Sequence, residues 1–310
     1  MKPAASFISL ARQIKLGAGR ALVGMAARCA GAQNAADMAL ARETLRRLYE
    51  PKIGAEYGIG LAQKRALAAK IRNITRRVPS GTAWQYHVIL ATEILSLPKG
   101  MAGDVVECGC WKGASSASLS LACALIGRRL FVCDSFEGLP ADKTGEVHDY
   151  PHVGVYGYYE PGMYVGQLEE VRGNITRFGA IACCEFVKGF FNESLKALRG
   201  PVAFAFLDVD LESSLWDCVR QLWPLMPNDA MIYTDDSCDM KVVRPWFDNE
   251  RWMRDLGQMS PGYVGSGCGL PVHPSYSSLG YARKVAHPEK SYGRISWLRY
   301  GDEQPPAESA

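Results

Sequence analysis

No CxxC pair occurs among the 10 cysteines, and no Cys/His spacing matches a zinc site. Several cysteines, Cys108, Cys110, Cys133, Cys183 and Cys184 among them, sit inside apolar runs and read as free thiols of a reducing compartment. No apolar run is long enough to span a bilayer. The formal net charge is only +3, and no stripe of Lys and Arg interleaves with aromatics, so nothing argues for nucleic acid as a partner. There is no internal repeat. Neither phosphate-cradling loop is present: GxGxxG and the Gly-Lys-Ser/Thr of a Walker loop are both missing.

The N-terminus holds Lys2, Arg12, Lys15, Arg20 and Arg28, with no acid before Asp37, and Phe7, Leu10, Ile14, Ala18, Ala21, Leu22 and Met25 recur at helical spacing. Arg12 and Lys15 interrupt any signal-peptide core, so a cytoplasmic location is expected rather than secretion. The Ala-rich face suits packing on the protein itself or on a second copy in a homo-oligomer; weak contact with a membrane surface is the alternative.

Up to about Pro98 the chain reads as helical. Ala36–Tyr49, Ala62–Arg77 and Thr82–Leu97 are punctuated by Pro51, Pro79 and Pro98. Short apolar strands follow at Asp104–Gly109, Arg129–Asp134, Ala182–Phe190, Val202–Asp208 and Ala230–Thr234, with helices at Ala114–Ile126, Met163–Phe178, Glu193–Leu198 and Leu211–Trp223. Alternation of this kind predicts an α/β fold with a doubly wound, mostly parallel sheet covered on both faces. Leu279–Val285 and Arg294–Tyr300 alternate enough to close it as an antiparallel pair, which makes the expected sheet seven-stranded. The expected organisation is a helical N-terminal extension over residues 1–98, an α/β domain over 99–301 and a disordered tail over 302–310. Pro140–Gly162 reads as a long loop at the carboxyl edge of the sheet, either a lid over a ligand or a surface insertion. The scattered histidines read as structural or exposed, and of them His148 and His152, within this stretch, are the best placed to touch substrate. Trp216 and Trp223, on one helix, read as core.

Glu107-Cys-Gly109-Cys-Trp-Lys-Gly113 follows a strand and opens a helix, so its glycines let backbone approach a ligand at the helix start. Asp134 ends the next strand, where an acid can bind ribose hydroxyls. Helix capping is the plainer reading of Asp134-Ser135. The bulky Trp111 interrupts a dinucleotide turn and argues against a nicotinamide-dependent oxidoreductase. A glycine turn preceded by an acid and lacking a phosphate cradle suits S-adenosylmethionine. Asp208-Val-Asp210 and Asp235-Asp236 end two further strands at the same edge. Carboxylates gathered there repel unless a cation or protons intervene, and an all-oxygen donor set points to Mg2+ ahead of Mn2+ or Ca2+. A metal would lower the pKa of an acceptor hydroxyl and a neighbouring carboxylate would take the proton.

These stretches, with Asp134-Ser-Phe-Glu-Gly-Leu-Pro140, Val187-Lys-Gly-Phe-Phe-Asn-Glu-Ser194 and Thr234-Asp-Asp236, resemble the macrocin O-methyltransferase family, whose members methylate sugar hydroxyls on macrolide and aminocoumarin antibiotics. The resemblance spans roughly residues 80–240. It implies a class I, Rossmann-like methyltransferase fold, S-adenosylmethionine and Mg2+. By position in the motifs, Asp208, Asp235 and Asp236 would be metal ligands and Asp210 the general base. Glu107, Gly109, Gly113, Asp134 and Ser135 would line the cofactor site, with Gly189 and Phe190 near the adenine. Glu212 and Ser213 replace a frequent aromatic, and Met240–Ser278 departs from the pattern, which leaves a phenol, lipid or peptide acceptor open beside a small-molecule or glycan hydroxyl. A non-catalytic binding module is the reading that intact site acids argue against.

Overall fold

The computed structural model describes residues 35, 37–141, 147–150, 155–265 and 279–286, with backbone alone for 147–150 and 155–158. The basic N-terminal segment, His152, the expected strand Arg294–Tyr300 and the tail lie outside the described residues. Among the described residues no helix is long and apolar enough to cross a membrane.

Three helices lead in: α1 over residues 37–48, α2 at Leu61–Arg77 and α3 at Trp84–Leu95. The strands are β1 (Asp104–Cys108), β2 (Leu130–Asp134), β3 (Val147–Tyr150), β4 (Val155–Tyr158), β5 (Cys184–Lys188), β6 (Val202–Leu207), β7 (Met231–Thr234) and β8 (Gly280–Arg283). The remaining helices are α4 (Ala114–Ile126), α5 (Leu168–Phe178), α6 (Phe191–Ser194), α7 (Glu212–Leu222), α8 (Met240–Val243) and α9 (Asn249–Leu256). The six described strands of the main sheet run β5-β2-β1-β6-β7-β8, all parallel except β8, which is antiparallel to β7. This is the doubly wound, Rossmann-like α/β architecture that the alternating strands and helices predict. The stretch expected to be a loop contains an antiparallel hairpin, β3–β4, with Val147 opposite Tyr158 and Tyr150 opposite Val155.

Strand residues alternate between two apolar layers. Val105, Leu130, Val132, Phe204, Phe206 and Tyr233 face α2–α5. Val106, Cys108, Cys133, Ala205, Leu207 and Ile232 face α7 and α9. In the first layer α4 is rich in Ser, Ala and Cys, small residues that let α3 pack closely. Two of its serine hydroxyls bond back to their own helix, Ser118 to the Ala114 carbonyl at 3.0 Å and Ser120 to the Ala117 carbonyl at 2.8 Å. Helix α3 is buried on nearly every side, and its His87 bonds Ser118 at 3.0 Å. The helices before residue 98 therefore share the core of the sheet. In the second layer Trp216, Trp223, Trp246 and Trp252 meet edge-on or tilted, with Trp252 centred 5.5 Å from Trp216 and 5.0 Å from Trp223. Trp216 and Trp223 are thus core residues, as their spacing predicts.

Parallel register brings the carboxyl ends of β2, β1, β6 and β7 to one rim. Gly109 N–H donates to Cys133 O at 3.0 Å, Asp208 N–H to Cys108 O at 2.9 Å and Asp235 N–H to Leu207 O at 3.0 Å. At this rim Gly109 (φ 83°) lies so near β6 that a Cβ would stand 1.8 Å from the Asp208 carbonyl oxygen. Gly127, which ends α4 with φ 69°, has no such neighbour within 4 Å. Gly127→Ala incurs left-handed strain alone, about 1 kcal/mol. Gly109→Ala must also push two strand ends apart, with an expected loss of about 4 kcal/mol or more. Denaturant unfolding of both variants tests this: equal losses would show that the approach of β1 to β6 is not close.

Candidate active site

Five of the six described non-glycine residues with positive φ lie on the loops at this rim: Trp111 (42°), Phe136 (56°), Tyr164 (58°), Asp210 (59°) and Asp236 (53°). Each is a strained conformation, kept only where the surroundings enforce it, and such residues gather at functional sites.

Glu107, at the end of β1, has no exposed surface. Neither carboxylate oxygen has a donor in hydrogen-bonding geometry among the described residues. Burial pushes its carboxyl up to about 7; the nearby Ser115 and Ser116 hydroxyls ease the charge, and Asp134 adds slightly to the rise. Beyond it the chain turns at Gly109 and enters α4 through Gly113 (φ 81°), whose Cβ would press on Val171. No side chain caps the start of α4.

Asp134 and Ser135 are both buried and both already bonded to the chain. Asp134 Oδ2 accepts from Cys110 N–H at 2.8 Å and Oδ1 from Phe136 N–H at 2.7 Å, so this carboxylate ties the β1 turn to the β2 turn. Ser135 Oγ donates to Gly138 O at 2.6 Å and accepts from Glu137 N–H at 3.0 Å, closing the 135–138 turn. Gly189 (φ 134°) follows β5, and its N–H donates to Asp134 O at 2.9 Å. Phe190 beside it is exposed.

Asp208, Asp210, Asp235 and Asp236 line one cleft over Leu207, Leu215 and Val242. Asp235 is buried and the other three are half-buried. Burial first, then the charges of Asp235, Asp236, Asp210 and Glu107, holds the Asp208 carboxyl well above the usual range. Burial pushes Asp210 up to about 7, while the Lys241 ammonium opposes the rise. The two oxygens of Asp235 accept from Thr82 Oγ1 at 2.8 Å and Asp236 N–H at 3.0 Å. Lys241, at the start of α8, donates to Tyr159 Oη at 2.7 Å and stands 3.4 Å from Asp239. The donors are hard oxygens, and their mutual repulsion is what a divalent cation would relieve. Among the described residues no three His, Cys, Asp or Glu are drawn together to ligating distance.

The rim therefore gathers every residue singled out from the sequence motifs. His148 lies on β3, where backbone alone is described. Thr82, Tyr159, Tyr164 and Lys241 also belong to the site and were not singled out. Thr82 is 153 positions from Asp235, so no local pattern could have paired them. Tyr164 had no usable signal, because its spacing places it in the helix read from Met163.

The profile of the macrocin-O-methyltransferase (TylF) family matches residues 90–258, more than half of the chain. The 8-demethyl-8-(2,3-dimethoxy-alpha-L-rhamnosyl)-tetracenomycin-C 4'-O-methyltransferase of Streptomyces olivaceus is 31% identical over 153 residues, 45% of this chain and 55% of its own length. Mycinamicin III 3''-O-methyltransferase of Micromonospora griseorubida is 24% identical over 148 residues, 46% of this chain and 58% of its own. The chain spans about half the length of these relatives. Among solved structures, the O-methyltransferase NovP superposes with a TM-score of 0.43 and 20% identity, over 73% of this chain and 81% of that one. With its motifs at one sheet edge and its sequence matched from α3 to past α9, the chain belongs to the macrocin-O-methyltransferase (TylF) family.

Proposed function

We propose that this protein transfers a methyl group from S-adenosylmethionine to a hydroxyl of a sugar on a natural product or glycan, with Mg2+ at the site. The observation that carries the reading is the convergence of the β6 and β7 acids on the Gly109 turn. The rhamnosyl acceptor in the name of the S. olivaceus relative favours a sugar. We read residues 99–301 as the methyl-transfer unit and 1–98 as an extension that lends Thr82 to it.

Glu107 fits a donor-bearing, cationic ligand, because among the described residues its buried carboxylate oxygens have no donor in hydrogen-bonding geometry. Gly109 and the uncapped start of α4 supply backbone at close range. S-adenosylmethionine, when bound, supplies an electrophilic methyl group. The aspartates fit a hard cation in donor chemistry, and Asp208, Asp235 and Asp236 would hold it; bound Mg2+ would lower the pKa of the acceptor hydroxyl. Asp210 is the base. Its carboxylate lines the same cleft as Asp208, Asp235 and Asp236 and is placed to take the acceptor proton as the oxygen–methyl bond forms and the methyl–sulfur bond breaks. Lys241 keeps that carboxyl from rising further. Thr82 and the Asp236 amide hold Asp235 in one orientation.

Asp210→Asn is expected to slow methyl transfer by roughly 10²–10⁴-fold while calorimetry shows S-adenosylmethionine binding unchanged. Excess chelator should stop turnover and added Mg2+ restore it; full turnover in chelator would remove the metal from the mechanism.

The Glu107 carboxyl also sets a pH dependence of stability. Its folded pKa of about 7 exceeds the ordinary 4.5. Below about 4.5 both folded and unfolded chains hold the proton, and there is no penalty. As pH rises toward 7 the unfolded chain ionises first, so folding stability falls and then levels off, by roughly 3 kcal/mol in all. Asp208 and Asp210 act in the same direction. In Glu107→Gln, the slope of unfolding free energy between about pH 5 and 7, measured without cofactor and in chelator, should shrink by about one proton. An unchanged slope would mean that Glu107 is ionised in the folded protein.

A further inference from the structure

The segment just before α5 is pinned onto both site turns. Leu139 N–H donates to Met163 O at 2.9 Å, and Gly162 N–H donates to Leu139 O at 3.0 Å. Gly166 is pressed onto the turn after β1, where a Cβ would stand 1.6 Å from the Trp111 carbonyl oxygen. Between these clamps Tyr164 is held at φ 58°, and Trp111 across from it at φ 42°. Their rings meet edge-on, centroids 6.4 Å apart and planes at 89°. The two strained backbones thus brace one aromatic wall between the cofactor turn and the acids.

The wall is not core. Tyr164 keeps 42% of its surface exposed. Burial, then the charges of Asp210, Asp236 and Asp208, push its phenol up to about 12, so the ring stands neutral and within the field of the acid cleft. A neutral aromatic face has two attractions for a ligand: dispersion, and a quadrupole that attracts weakly positive C–H groups. A pyranose has such a C–H face, and one lacking acidic substituents also escapes repulsion from the carboxylates.

We infer that Tyr164, braced by Trp111, is the acceptor-positioning residue, and that the acceptor ring it takes is an uncharged pyranose stacked by its C–H face. The inference rests on the methyl-transfer reading and deepens it. Tyr164 supplies the wall that holds the acceptor hydroxyl toward Asp210, and the ring, not the hydroxyl, does the holding.

Saturation-transfer NMR on the full chain loaded with S-adenosylhomocysteine tests this, with methyl α-L-rhamnopyranoside as the neutral probe and methyl α-D-glucuronide as the charged one. Wild type and Tyr164→Phe should bind the rhamnoside alike through its ring C–H protons. Tyr164→Ala should bind it about tenfold more weakly, the scale of one aromatic contact. In chelator, where no cation offsets the acids, the glucuronide should bind neither wild type nor variant. Calorimetry with S-adenosylhomocysteine separates the possible failures. If wild type does not bind it, the methyl-transfer reading falls. If all three proteins bind it equally, the Tyr164 assignment falls in either of two cases: no rhamnoside binding to wild type, or equal rhamnoside binding to Tyr164→Ala. Binding of the glucuronide as strong as the rhamnoside would overturn the choice of an uncharged ring.

Discussion

Glu107, Asp208, Asp210 and Asp235 stand at the carboxyl ends of three adjacent strands and repel one another in a region that water reaches poorly. Parallel pairing makes this unavoidable, since it delivers every strand end to the same rim. The fold tolerates the repulsion because two apolar layers, one on each sheet face, supply the stability. Compensation at the rim is partial. Lys241 opposes the rise at Asp210, and Thr82 donates to Asp235. Glu107 receives no donor in bonding geometry among the described residues. A rim arranged like this gains most from ligands that bring positive charge and hydrogen-bond donors, and S-adenosylmethionine and Mg2+ have those properties.

The strained backbone follows from the same constraint. To bring the Gly109 turn against β6, the chain after β1 must reverse within a few residues, and Trp111 takes a left-handed φ that a glycine would adopt freely. Asp210 and Asp236 take similar conformations as the chain leaves β6 and β7. Trp111 and Asp236 are locked by neighbours: Asp134 grips the Cys110 amide, Gly166 presses on Trp111, and Asp235 accepts from the Asp236 amide. The interlocking explains why strain persists here, on loops that would relax if free.

Strand interiors were legible because β2, β6 and β7 are apolar runs and β1 carries an apolar Val-Val pair, and the site acids were legible because they sit at or near the carboxyl ends of those strands. Long-range partners were not. The spacing predicts a helix from Met163, but α5 begins at Leu168, because Tyr164 and Gly166 are committed to contacts with the turn after β1. Propensity cannot register a contact some fifty positions away. The loop expected over 140–162 carries a hairpin for a related reason: its Gly and Pro content hides short strands that, among the described residues, pair with each other and with no other strand. Asp134 shows a different limit. Its position suggests an acid facing a ligand, while its two oxygens bond the amides of Cys110 and Phe136. A carboxylate has lone pairs enough for both tasks, so sequence position alone could not say that it also holds two turns together.

The helices before residue 98 reach the site through the buried bond from Thr82 to Asp235. Thr82 stands just before α3, and α3 is anchored by His87, kept neutral by burial and bonded to Ser118 of α4. Helix α4 begins at the glycine turn itself. The hydroxyl that fixes Asp235 is therefore held by the same pair of helices that sets the start of α4, and the two halves of the rim share one scaffold. An Asp235 carboxylate held by donors on both oxygens loses little orientational freedom when a ligand arrives, and orientation settled in advance is the form of organisation that contributes most to polar catalysis. The helices before residue 98 are thus part of the site's geometry, although their own sequence carries none of the motif residues.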